Sequence, residues 1–182
     1  MVYKFLLLSD EVNNFKREIQ ISSQATFLDL HNEILKATGY EEKQMYSFFI
    51  CGNDWSKQTE ITLIEMDTSS EEDSYIMEQT YLEDLLEEEY QKLLYVFDPL
   101  TERVFFIELC EIITGKELKK PVCSKSIGEP PKQYIDFDLV NNDFNINTDL
   151  GENFYGEDEF DDEDLEGLDE DTFENRLTDD PF

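Results

Sequence analysis

The stretch YKFLLLSDEVNNFKREIQISSQATFLDLHNEILKATG, residues 3–39, decides the fold. Tyr3 to Leu8 reads as a strand. In the segment Phe15 to Ile21, Phe15, Arg17, Ile19 and Ile21 fall on one side and Lys16, Glu18 and Gln20 on the other. That period of two is the mark of a strand with one buried face, and Arg17 is the polar exception on its apolar side. Asp10-Glu11-Val12-Asn13-Asn14 supplies the turn of a hairpin. A helix follows. Thr26 caps it and Asp29, three residues on, completes a capping-box variant. Phe27, Leu30 and Ile34 share one face with Leu35 alongside, and Gly39 stands where a C′ glycine ends a helix.

Working outward, Tyr46 to Cys51 is a short apolar strand, Gly52-Asn53-Asp54 a turn, and Ile61 to Met66 a further strand. The acidic segment Asp67 to Ser74 reads as a loop. Thr80-Tyr81-Leu82-Glu83 repeats the capping-box pattern and opens a helix predicted to run through Glu89, with Leu82, Leu85 and Leu86 inward. Leu93 to Phe97 and Val104 to Leu109 are two strands joined through Asp98-Pro99-Leu100-Thr101-Glu102, where proline pre-sets φ. Lys116 to Lys132 carries Lys116, Lys119, Lys120, Lys125 and Lys132 between Pro121, Pro130 and Pro131, and reads as an irregular basic loop. The order predicts an α+β domain over residues 1–135: an antiparallel or mixed sheet of hairpins, two helices packed on one face, and a β-grasp-like start. Residues 136–182 are expected to form a disordered acidic tail, because too few apolar groups stand among the carboxylates to offset the entropy of ordering.

The formal charge is −31 over 182 residues. Residues 151–182 hold 15 Asp and Glu against one Arg, a net of −14, which leaves −17 for residues 1–150. Such a charge repels phosphate, so direct nucleic-acid binding and anionic membranes are disfavoured, and a basic protein partner is the natural counterpart. No stretch approaches the roughly 20 apolar residues of a membrane span. Phe5 to Leu8 is too short for a signal-peptide core. Cys51, Cys110 and Cys123, odd in number and widely spaced, are expected to be reduced thiols in a cytoplasm.

Several motifs together carry a family resemblance over roughly residues 3–133. They are Phe15 to Ile21, then Thr26-Phe27-Leu28-Asp29-Leu30-His31-Asn32-Glu33-Ile34, then Thr38-Gly39-Tyr40. Further on come Leu94-Tyr95-Val96-Phe97-Asp98, Phe106 to Ile112, and Pro121-Val122-Cys123 with Gly128-Glu129-Pro130-Pro131. In order and spacing they resemble the Ri-plasmid ORF-three-like family. The resemblance implies an α+β fold, kinship with proteins of plasmids and mobile elements, and no established activity. The chain departs from the pattern at Leu100 to Phe105 and at Lys132-Gln133-Tyr134, so the His, Trp and Asp positions that form a polar motif in relatives are absent here.

No catalytic constellation is legible, and no catalytic, cofactor-binding or metal-binding residue is assigned. His31 is the lone histidine, set near the apolar face of its helix, and reads as a packed or hydrogen-bonded structural residue. Zinc binding by Cys51, Cys110, Cys123 and His31 requires the fold to bring all four together. Asp162, Asp164, Glu166 and Gly167 imitate the start of a calcium loop, but Phe173 stands where a bidentate Glu is needed. Trp55 reads as a packing residue. The leading expectation is a non-enzymatic binding or adaptor protein. It would engage a macromolecule through its acidic surface and tail, presenting Phe160, Leu165, Leu168 and Phe173, or through a sheet edge. Two alternatives are a nucleic-acid-mimicking acidic regulator, and a small-ligand or enzymatic role in a pocket of the domain.

Overall fold

The computed structural model describes residues 1–65 and 75–134. The elements, in chain order, are β1 (Val2–Leu8), β2 (Lys16–Ser22), α1 (Phe27–Thr38), β3 (Ser47–Cys51), β4 (Lys57–Thr62), β5 (Tyr75–Ile76), α2 (Leu82–Leu85), β6 (Lys92–Asp98), β7 (Arg103–Ile113) and β8 (Val122–Ile127). Eight strands make one mixed sheet in the order β5-β4-β3-β6-β7-β1-β2-β8. Among the described residues only the short β4–β5 pair is parallel.

The first hairpin forms as its alternation predicts, with Phe5 opposite Ile19 and Tyr3 opposite Ile21. Phe5, Ile19, Ile21 and their neighbours Leu7, Ile107 and Leu109 are buried on one face of the sheet. α1 lies over that face. Its start is fixed by a reciprocal pair of bonds: the Asp29 amide donates to Thr26 Oγ1, and the Thr26 amide donates to the Asp29 carboxylate. Its end is set by Gly39 in the left-handed region. Phe27, Leu30 and Ile34 are fully buried, and Leu82 and Leu86 join the same cluster. The β-grasp-like start is confined to the chain order. In the sheet, β3 joins β6, and β7 takes the place beside β1 in antiparallel sense.

Three expectations are corrected and one further strand appears. The strand predicted over Ile61 to Met66 is β4, Lys57–Thr62. Its polar residues are held by backbone pairing to β3, so the apolar pattern marks only its end; Met66 and the loop predicted from Asp67 to Ser74 lie outside the described residues. The second helix is one turn long, Leu82–Leu85, not a run through Glu89. Glu87, Glu88 and Glu89 would crowd the negative end of a longer helix dipole. Instead Gln91 Oε1 accepts the amides of Glu87 and Glu88, and Tyr90 and Gln91 are drawn into pairing with Leu109. β5 carried no alternation to predict it. The loop predicted from Lys116 to Lys132 contains β8, an exposed edge strand with no apolar period, placed by its ladder to β2.

Arg17 interrupts the apolar side of β2 because it has a structural task there. Its guanidinium donates to the carbonyls of Ala37, Lys16 and Ile127 and rests 4.5 Å from the Phe15 ring centre, tying α1 and β8 to β2.

Two glycines test this reading. Gly39 (φ 73°) has open space where a Cβ would go, so Gly39→Ala pays only the left-handed backbone cost of about 1 kcal/mol. Gly128 (φ 69°) lies against the β1–β2 turn, where a Cβ would meet the Asn14 carbonyl oxygen at 2.5 Å. Gly128→Ala is expected to cost at least about 3 kcal/mol in chemical denaturation, clearly more than Gly39→Ala.

Candidate functional site

The lone histidine belongs to the core. The period of α1 turns His31 into the core, where it is fully buried. Its Nδ1 is hydrogen-bonded to the Tyr95 hydroxyl at 2.8 Å, and its ring packs 4.8 Å from Tyr46. Nε2 has no partner among the described residues. Loss of water pushes the imidazole down to about 4. Burial likewise raises the thiols of Cys51 and Cys110. The three cysteines are free and sit on β3, β7 and β8, while His31 faces the core. Among the described residues no three His, Cys, Asp or Glu come together as a metal site.

A polar network runs from this core to one end of the sheet. Tyr46 stacks on Tyr95 and donates its hydroxyl to the Glu41 carbonyl, while Gln133 Nε2 donates to Tyr46 and to the same carbonyl. Tyr40 donates to the Pro131 carbonyl. Arg103 donates to the carbonyls of Lys132 and Gln133, lies over Phe97, and pairs with Glu11 at 2.6 Å. The network fastens residues 131–133 to α1 and the sheet. Beside it, Asp10, Glu11, Thr101, Glu102, Arg103 and Val104 line an open recess of about 350 Å³.

The sheet's second face is different in kind. One row of cross-strand neighbours runs Glu60, Phe49, Leu94, Phe106, Leu8, Lys16, Ile127 across six ladders. The next row reads Cys51, Lys92, Glu108, Leu6, Glu18, Lys125. Trp55, the left-handed residue of the β3–β4 turn, packs edge-on against Phe106 at 5.0 Å. Lys92 lies over Trp55 and Lys57 over Phe49. The result is an apolar, aromatic strip beside one row of mixed charge, with Ser47, Val96 and Val104 on its other side. Both helices pack on the opposite face.

This strip was not legible in the sequence. β6 reads as a continuous apolar run, which signals burial without saying which side is covered. The residues singled out beforehand as partner-binding, Phe160, Leu165, Leu168 and Phe173, lie outside the described residues, as does the calcium-like segment Asp162 to Phe173. No helix among the described residues is long and apolar enough to cross a membrane.

Comparison with known proteins agrees with the resemblance drawn from the motifs. The family model described as plasmid pRiA4b ORF-3-like protein matches residues 4–136, and the chain belongs to that family. The fold is similar to the crystal structure of a protein of unknown function from Methanosarcina mazei Go1. The TM-score is 0.53 and the identity 21%, over 69% of this chain and 68% of that one. No curated protein matches the chain.

Two outcomes are expected. Above pH 6.5 His31 is neutral in both folded and unfolded chains. As pH falls from 6.5 towards 4 the unfolded chain takes up a proton that the folded one refuses, so stability drops by roughly 3 kcal/mol and then levels off. His31→Asn, which cannot titrate, is expected to lack that component when denaturation curves at pH 7 and pH 4 are compared with the parent. Arg103→Lys keeps the charge but loses the planar fork, and is expected to destabilise by about 2–3 kcal/mol with faster amide exchange at Gln133 and Glu41.

Proposed function

We propose that this member of the plasmid pRiA4b ORF-3-like family is a non-enzymatic binding or adaptor protein that engages a basic protein partner. The observation that carries the reading is the second face of the sheet. There, Phe49, Leu94, Phe106 and Trp55 form an apolar strip bordered by Glu60, Glu108 and Glu18 and by Lys16, Lys57 and Lys92, on a chain of charge −31. Interfaces of this kind use aromatic anchors for affinity and the surrounding charge for steering and selection. The residues that would otherwise suggest catalysis support the same reading. His31 is enclosed, and the Arg103–Glu11 pair holds the chain in place. On this reading Phe160, Leu165, Leu168 and Phe173 supply further anchors among the carboxylates of residues 136–182.

The charge also favours a second reading, in which the acidic surface occupies the nucleic-acid site of a basic protein. The partner's DNA would then compete with this chain, and the competition would weaken steeply with salt.

Affinity capture from a native lysate distinguishes these outcomes. The full chain is expected to retain a basic protein that is released at high salt. The variant carrying Phe160→Ala, Leu165→Ala, Leu168→Ala and Phe173→Ala, and separately Trp55→Ala with Phe106→Ala, are each expected to retain it at least about tenfold less. Retention unchanged by both variants, or indifferent to salt, would contradict the adaptor reading. Displacement of the retained protein by DNA would select the mimic.

A further inference from the structure

We propose that the outer edge of β8 takes up an extended acidic peptide as a ninth strand, a binding mode distinct from the basic partner proposed above. Among the described residues β8 is the terminal strand of the sheet, paired only to β2, and five of its six residues are exposed. Val122 and Ile127 are each 42% exposed and, with Lys125, lie on the same face as the apolar strip, as their partners Gln20, Lys16 and Glu18 require. No proline or glycine interrupts the strand; its register shifts between Cys123 and Lys125 and the Ile127 carbonyl accepts from Arg17, so strand addition would use the backbone groups between Cys123 and Ile127.

Charge selects the occupant. Residues 116–132 hold five of the chain's 14 Lys and Arg against two Glu, a local excess of positive charge on an otherwise acidic molecule. Lys125 stands 3.8 Å from Glu18, and Lys116 donates to Gln20. Lys119, Lys120 and Lys132 form no ion pair among the described residues. One of its amides is closed within the domain, where Cys123 donates to Glu33 Oε1 at 3.0 Å. A second copy is a poor occupant. Antiparallel pairing of two β8 strands would bring the two Lys125 side chains close together and join two chains of charge −31. A short acidic segment meets only the local lysines, since the rest of the surface is screened within about 8 Å at physiological salt. Its apolar residues would face Val122 and Ile127, and a carboxylate would face Lys125.

The test uses the full chain and a labelled synthetic Glu–Val peptide of about eight residues, with Val, Glu and Val at alternate positions of one face and Glu between them. Binding by fluorescence anisotropy is expected, with amide exchange slowed at residues 124–127. The combined variant Lys119→Glu, Lys120→Glu and Lys125→Glu, checked by circular dichroism, is expected to bind at least about tenfold more weakly. Methylating every second peptide nitrogen should abolish binding in one frame and spare it in the other, because only one edge of an added strand bonds to β8. The proposal is overturned by equal binding of the matching Lys–Val peptide, by equal binding of both methylated frames, by protection elsewhere than β8, or by self-association of the chain through β8 in sedimentation.

Discussion

The hydrogen bond between His31 Nδ1 and the Tyr95 hydroxyl fastens the one long helix to the middle of the sheet. Both side chains are fully buried, so neither group can be left without its partner except at the desolvation cost of a bare polar group, about 1–3 kcal/mol. From this junction the rest of the domain is laid out. Tyr46 stacks on Tyr95, Gln133 holds Tyr46, and Arg103 holds the backbone at Gln133 while pairing with Glu11. One chain of contacts therefore runs from α1 through β6 to residues 131–133 and the β1–β2 turn. Every element it touches belongs to the covered side or the end of the sheet.

That placement has a functional consequence. A histidine enclosed by Tyr46 and Tyr95 and held neutral by burial is a poor proton carrier for a dissolved substrate. The positive charge of Arg103 is spent on Glu11 and two carbonyls. On the proposed reading the surfaces for partners are those that this network does not reach among the described residues: the apolar strip of the second face and the edge at β8. They differ in chemistry. The strip joins aromatic groups to a rim of both glutamates and lysines, and the edge joins backbone groups to lysines. A domain with two such surfaces suits a protein that brings partners together, consistent with kinship to proteins for which no reaction is established.

Much of the covered side was legible in the sequence, because local rules and burial agree there. Phe15 to Ile21 alternates, Thr26 and Asp29 cap reciprocally, and Gly39 ends the helix, as each pattern requires. The turn at Asp98 was legible for the same reason: its carboxylate accepts from the Leu100 amide and the Thr101 hydroxyl. The misses fall where backbone pairing outweighs side-chain pattern. β8 and the start of β4 are edge or near-edge strands whose exposed residues need no period of two, and β5 is too short to show one. The glutamates after Leu86 looked helical by composition, but their charge and the pull of the sheet end the helix after one turn. The helical period pointed His31 inward. Its partner Tyr95 lies 64 residues away, and only the strand order brings the two together. Arg103 likewise belonged to a segment that looked like a mere departure from the family pattern, though it anchors the domain's last described residues.

The protonation state of that one histidine tests the account most directly. Nitrogen-15 spectra of the folded chain at pH 5.5, with the imidazole nitrogens observed through their coupling to the ring protons, should show a neutral ring in a single tautomer. An imidazolium signature at that pH would mean His31 is open to water. The closed junction on which this description of the domain rests would then be wrong.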